Sequence, residues 1–242
     1  YDWIRKRFYV DDGTGGANSA QELIELSEGV IAAMKMGGFE LCKFKSNLPE
    51  LMEGNSNEEV KIGDRSDDDN ATKVLGVSWI PSSDEFTFNF DPEVATREVK
   101  TARDLVSVQA SLYDPLGLIS PFQLLGRKML QRCEPHKRGW DAPLEPKLRK
   151  EFEKWAQSIP SLARLKIPRW WNCGIDSPST SSLHIFCDAA ATSGFGACAY
   201  RRVTDNAGNV KVILLCSRSH VVPINPSRAS HHNRTPRLEL TS

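Results

Sequence analysis

The spacing of apolar residues changes character several times along the chain, and each change predicts a different element. "RFYV" (7–10) is a short apolar run that ends at two adjacent aspartates and the glycine-rich "GTGG", which predicts a strand and the tip of a β-hairpin. From Ser19 the period becomes helical. Leu23, Leu26, Val30, Ala33 and Met34 share one face, Ser19 and Glu22 have the spacing of a capping box, and Gly37 supplies a stop. "FELCKF" (39–44) predicts a strand, closed off by Pro49, and "KVLGVSWI" with "EFTFNF" around the turn-rich "PSSD" predicts a hairpin.

Beyond residue 101 helical spacing takes over. "TARDLVSVQASLY" closes at Asp114-Pro115, and "PFQLLGRKMLQRC" opens with Ser120 as cap and Pro121 at the first helical position. "PLEPKLRKEFEKWAQSI" predicts a third helix with Leu148, Phe152 and Trp155 on one face. Residues 172–182, rich in Ser, Pro, Asn and Gly, read as a linker or domain boundary. "LHIFCD", "GFGACAYRR" and "VKVILLCS" follow as three strands, and "PRLELTS" reads as the opening of a helix. The whole is an α+β pattern.

Composition adds few constraints. With 242 residues, 40% of them apolar and 26% charged, the chain has the makings of one large or two small globular domains. No apolar run approaches the ~20 residues needed to cross a bilayer, and the first residues lack a signal-peptide pattern, so secretion is not expected. Six cysteines without a C-x-x-C pair argue against a zinc knuckle or a disulfide framework and read as reduced, mostly buried thiols.

The net charge of zero conceals two opposite regions. Residues 50–69 carry Glu50, Glu53, Glu58, Glu59, Asp64, Asp67, Asp68 and Asp69 against Lys61 and Arg65, an acidic stretch expected to be a mobile loop. Residues 189–242 are basic by five charges, and "RKMLQRCEPHKR" (127–138) makes a second basic cluster, with Arg127, Lys128 and Arg132 as candidates for a phosphate backbone. A solvated face accounts for either cluster as well.

Aspartate stands in two places where repulsion or burial disfavours it: at Asp11 and Asp12, and at Asp188, the C-terminal end of the apolar strand 183–187. A carboxylate at a strand end beside a basic surface is a candidate ligand for a hard divalent ion such as Mg²⁺, which bridges carboxylates to phosphates. Turn capping explains the same residues, and spacing alone leaves both readings open.

The quoted motifs carry a family resemblance. "FYVDD" with its capped helix, "GFELCKFKSN" and "VLGVSW" resemble the palm of a reverse transcriptase. The chain as a whole is similar to the polyprotein of BEL/Pao-type LTR retrotransposons, most specifically at "LYDPLGLISPF" (112–122), "IFCDAAATSGFGACAY" and "PRLEL" (236–240). The resemblance implies the end of a palm over 1–92, a helical thumb or connection over 93–172 and the start of a ribonuclease H-like domain over 173–242.

It also implies roles. Asp11, with Asp12 in support, would hold two Mg²⁺ ions that activate the primer hydroxyl and neutralise the triphosphate of a dNTP. Lys43 resembles the palm lysine near the leaving pyrophosphate, with Lys45 equally available. Tyr9 and the hairpin residues Leu75, Gly76 and Trp79 would face nucleic acid, the hairpin gripping the primer strand. Asp188 and, 51 positions later, Glu239 would be metal ligands of the ribonuclease H-like part, acting on an RNA/DNA hybrid. Gly194 and Gly196 would let nucleic acid approach; tight packing of a hairpin explains them equally.

Further carboxylates are expected at both sites, so the 242-residue chain by itself is expected neither to polymerise nor to cleave. RNA template, RNA/DNA hybrid and flanking polyprotein segments are the implied partners, and a cytoplasmic particle of the parent element, or the nucleus, the implied compartment. The stretch "SRASHHNRTPRLEL" is longer than the family's usual approach to the glutamate, and His231 and His232 within it read as loop residues rather than ligands. Two alternatives accompany this reading. A Pao-type aspartic peptidase needs paired Asp-Thr/Ser-Gly loops; here Asp188 precedes Ala189 and Asp12 precedes Gly13. A protein derived from a transposable element could instead bind nucleic acid without chemistry.

Overall fold

The computed structural model describes residues 2–10, 12–53, 72–74, 77–134, 138–171, 179–190 and 193–222. The chain divides into two compact units, Tyr1–Asp84 and Glu85–Ser242.

In the first unit a helical turn, α1 (Asp2–Arg7), leads into a hairpin of β1 (Phe8–Tyr9) and β2 (Asp12–Gly13), with Tyr9 opposite Asp12. The expected strand over 7–10 is shorter at both ends. Arg7 completes the helical turn, and Val10 takes φ 54°, a left-handed conformation that a β-branched residue adopts only under constraint. Gly13 fits beneath the Phe8 ring, where an added Cβ would lie 2.8 Å from Cζ.

Helix α2 (Ala20–Met36) forms as its pattern dictates. Ser19 is the N-cap, its Oγ accepting from Glu22 N at 3.2 Å, while Glu22 reaches back to Asn18 N, and Gly37 closes the C-terminus. The strand expected over 39–44 does not form. The chain there is irregular, and Lys43 at φ 57° interrupts any extended run. A short helical turn, α3 (Glu50–Glu53), follows Pro49, and most of the acidic stretch lies outside the described residues. "KVLGVSWI", expected as one strand, is a hairpin in its own right: β3 (Thr72–Val74) pairs antiparallel with β4 (Val77–Ile80), Val74 opposite Val77.

The second unit is built on helices. After β5 (Glu85–Thr87) and a turn of helix, α4 (Glu93–Thr96), the chain enters α5 (Ala102–Ser111), α6 (Ser120–Arg132) and α7 (Pro146–Ala156). Thr101 and Asp104 make a full capping box on α5, and Pro121 stands in the first turn of α6, where its missing N–H costs nothing. Ser120, expected as the cap of α6, lies inside the helix, with Ile119 at the N-cap.

The core forms where the helical faces meet: Leu105 and Val108 from α5, Met129 from α6, and Leu148, Phe152 and Trp155 from α7. Trp155 stacks on Phe122 with ring centroids 4.9 Å apart and donates its indole N–H to the Phe122 carbonyl. A 3₁₀ turn (Ile159–Arg164) then delivers β6 (Lys166–Pro168) to β5, Phe86 opposite Ile167.

The last three strands form an antiparallel meander: β7 (Thr180–Ala190), β8 (Gly194–Thr204) and β9 (Val210–Val221). β7 reaches back into the segment that composition had marked as linker. A bulge at Ala199/Tyr200 interrupts the β8–β9 register.

Helix α6 and the "DPLG" loop before it hold the outer side of β9. Ser217 N donates to Leu116 O at 2.9 Å, and Ser217 Oγ donates to the Gly117 carbonyl. Arg127 donates to Ser219 O at 2.7 Å, Gln131 to Val222 O at 2.6 Å, and Ser219 Oγ to Ser120 O at 3.0 Å. Carbonyls that a sheet edge would leave unpaired are thereby satisfied from the helix.

The thiols depart from expectation. Among the described residues Cys133 is buried, Cys198 half-buried, and Cys42, Cys187 and Cys216 are exposed, Cys187 because nearly every side chain of β7 is exposed.

Candidate nucleic-acid interface

Asp188 sits on β7 opposite Gly196 of β8, which in turn lies opposite Ser219 of β9. Because alternate residues of a strand share a face, His184, Phe186 and Asp188 project together with their cross-strand partners Tyr200, Cys198 and Gly196, and Ser182 with Arg202. The resulting face presents a carboxylate, two aromatic rings, an imidazole and a guanidinium. Phe186 is 59% exposed and meets the Tyr200 ring edge-on at 6.0 Å; Arg202 is held by a bond to Thr204 Oγ1 at 2.9 Å.

The Asp188 carboxylate is exposed. Its Oδ1 accepts the N–H of Ala189 at 2.9 Å, which fixes the side chain, and Oδ2 has no partner among the described residues. Gly196 leaves the space beside it empty of side chain. The reason for that glycine is packing: a Cβ at Gly196 would meet Arg218 O at 2.7 Å, and one at Gly194 would meet His220 O at 2.8 Å. About two strand spacings, ~10 Å, separate Asp188 from Ser219 across the row, and the row ends at the Arg127 guanidinium bound to the Ser219 carbonyl.

The arginines of α6 have partners within the second unit. Arg127 is half-buried and donates to Gln123 Oε1 as well as to Ser219 O; Arg132 is ion-paired with Glu151, which raises its pKa chiefly through their hydrogen bond; Lys128 is half-buried. The motif "LYDPLGLISPF" supplies the loop that joins α5 to α6. Asp114 accepts from Leu118 N and Ile119 N at 2.9 and 2.8 Å, and burial raises its pKa, against the pull of those amides and of Arg127.

In the first unit Asp12 is exposed on β2, Tyr9 is 70% exposed beside it, and Lys43 is exposed in the irregular segment. Trp79 is half-buried and donates its indole N–H to Asp84 at 3.0 Å. Asp11, Leu75, Gly76, Glu239, His231 and His232 lie outside the described residues. Among the described residues no group of three or more His, Cys, Asp and Glu side chains could together hold a metal ion. Among them, too, no helix is long and apolar enough to cross a membrane.

The ring and guanidinium partners of Asp188 were not singled out from sequence. Period-2 counting along "HIFCD" and "CAYRR" contains the signal, but strand register decides which residues become neighbours.

A mixed helix-and-strand unit with a three-stranded antiparallel meander and an aspartate on its first long strand is consistent with an α+β domain of ribonuclease H-like type. The family model for the Pao retrotransposon-like RNaseH-like domain matches residues 101–242, from the capping threonine of α5 to the end of the chain. The chain belongs to this retrotransposon family. No curated protein matches it.

Proposed function

We propose that this chain is part of a retrotransposon pol polyprotein whose ribonuclease H-like region binds RNA/DNA hybrid through the Asp188 face. The single observation that carries the reading is the company Asp188 keeps: a fixed, exposed carboxylate on a face with Phe186, Tyr200 and Arg202, within a segment of this family. Aromatic rings give nucleobases a stacking surface, and a guanidinium meets phosphate.

One carboxylate oxygen held by an amide and the other facing solvent fits a Mg²⁺ ion that keeps most of its waters and reaches phosphate. In the parent, Asp188 and Glu239 would hold such ions, and Asp11 with Asp12 would do so in a reverse-transcriptase palm over 1–92, with Lys43, Tyr9, Leu75, Gly76 and Trp79 near primer and nucleotide. Bound Mg²⁺ supplies charge neutralisation at the phosphate and an acidified water or hydroxyl. The helices over 93–172 serve in this reading as thumb or connection, and Arg127, Lys128 and Arg132 add positive potential. Asp188 and Glu239 would be part of a ligand set that needs further carboxylates, so the chain by itself is expected to bind without turnover.

The test is fluorescence anisotropy of a labelled RNA/DNA hybrid with the 242-residue chain over a range of salt concentrations. Affinity is expected to fall linearly on a log–log plot, and Tyr200→Ala is expected to weaken binding by about 1–3 kcal/mol. Salt-independent binding, or binding indifferent to Tyr200 and Arg202, would overturn the proposal.

A further inference from the structure

Residues 172–182 read in the sequence as a boundary between helices and strands, yet the α5–α6 loop and α6 are bonded to β9 within the second unit. Side-chain bonds from Arg127 to Ser219 O, Gln131 to Val222 O, Ser217 Oγ to Gly117 O and Ser219 Oγ to Ser120 O join residues 91 to 100 positions apart. A backbone bond from Ser217 N to Leu116 O accompanies them. Apolar contact runs beside the polar. Leu214 of β9 packs against the cluster of Phe88, Leu118, Ile119 and Leu162, and Phe122 of α6 touches both that cluster and the helical core around Phe152. At the start of β8, a Cβ on Gly194 would lie 3.3 Å from the Leu124 methyls. The loop itself is held in shape by its own bonds. Asp114 accepts from Leu118 N and Ile119 N, Gly117 N donates to Asp114 O at 3.2 Å, and Gly117 O accepts from both Ser120 N and Ser217 Oγ.

We propose that this contact is a rigid joint: the helices α5–α7 and the β7–β9 meander unfold as one cooperative unit, fastened by the loop 114–119 and α6. Contacts between residues so far apart in sequence repay the entropy of closing the intervening chain only when both layers are ordered, so loss of either layer forfeits the joint. The same bonds tie down the row that carries Asp188. Ser219, bonded to α6 through both its hydroxyl and its carbonyl, lies opposite Gly196, which lies opposite Asp188. The joint thus references that row to the helical layer whatever binds there, and it stands or falls separately from hybrid binding.

Hydrogen exchange of the full chain, read by mass spectrometry at β8 (Gly194–Thr204) and α7 (Pro146–Ala156), tests it. In wild type the slowest amides of the two segments are expected to share one dependence on urea. A perturbation is then placed in the β8–β9 turn, where Gly208 has φ 85° and nothing within 4 Å of an added Cβ, so that Gly208→Ala touches no helix. In the otherwise wild-type chain it is expected to speed exchange of the slowest amides of β8 and α7 by the same factor, about fivefold. With the joint opened by Gly117→Ala, Gly208→Ala is expected to speed β8 and to leave α7 unchanged. The double variant Arg127→Met with Gln131→Met removes two of the bonds without forcing the loop away; it is expected to show the same separation and decides the matter should Gly117→Ala fail to fold. Different urea dependences in wild type, acceleration confined to β8 in the wild-type background, or acceleration that still reaches α7 in full in an opened chain would each overturn the proposal.

Discussion

Gly117→Ala separates the contribution of the α6 clamp from that of ordinary turn geometry. Gly117 has φ 71°, and a Cβ there would fall 1.7 Å from the Ser217 carbonyl oxygen and 2.7 Å from its carbon, both backbone atoms that cannot swing aside. The left-handed conformation costs an alanine about 1–2 kcal/mol. Relieving the overlap requires the loop to leave β9, which breaks the bonds from Ser217 N to Leu116 O and from Ser217 Oγ to Gly117 O, each worth about 1 kcal/mol net. The expected loss is about 3–4 kcal/mol.

Gly208 is the matched control, with φ 85° and nothing within 4 Å of an added Cβ. Gly208→Ala is expected to cost the conformational part alone, about 1 kcal/mol. Urea unfolding followed by tryptophan fluorescence measures both. With a slope of about 2 kcal/mol/M, the two midpoints are expected to differ by about 1 M. Equal midpoints would refute the argument that the loop is pinned against β9.

Phe152→Ala, at a side chain 1% exposed between the helices, is expected to lower stability by about 3–5 kcal/mol in the same assay. Thr101→Ala removes one arm of the α5 capping box and is expected to cost about 1 kcal/mol. Burial raises the Asp114 pKa in the folded chain, so the folded state holds a proton there that the unfolded state has already released. The resulting stabilisation is present at low pH and is lost as pH rises from the ordinary carboxylate range through the folded value. Unfolding midpoints measured across that window are expected to show this decline in wild type and to lose it in Asp114→Asn.

The helices were legible because local signals agreed with one another. α2 and α5 each combine a cap with a 3.6-residue apolar stripe and formed within about two residues of their expected limits, whereas α7, expected over 143–159 from its apolar stripe, has no side-chain cap and is three residues shorter at each end. The three long strands were legible as apolar runs between turns, although β7 extends into Ser and Thr residues whose polarity read as linker. Short extended segments were not. "FELCKF" has strand composition, yet composition does not reveal that Lys43 turns left-handed, and "KVLGVSWI" reads as one strand although Val74 pairs with Val77 across its own reversal. At the candidate site Asp188 stood out by its charge at a strand end, whereas Phe186, Tyr200 and Arg202 became its neighbours through cross-strand register. Arg127 and Arg132 were legible as a basic cluster from charge alone, whereas their partners, the Ser219 carbonyl and the Glu151 carboxylate, are set by the fold.

The central claim is that the Asp188 carboxylate, fixed by Ala189 N–H, meets a divalent ion together with nucleic-acid phosphate. Its most direct test is the Mg²⁺ dependence of hybrid binding, compared between wild type and Asp188→Asn at constant ionic strength. Mg²⁺ is expected to tighten binding of wild type by several-fold and to leave Asp188→Asn unchanged, with both proteins equal in the absence of the ion apart from the gain the variant makes by losing a negative charge. An identical Mg²⁺ response in the two proteins would contradict the account.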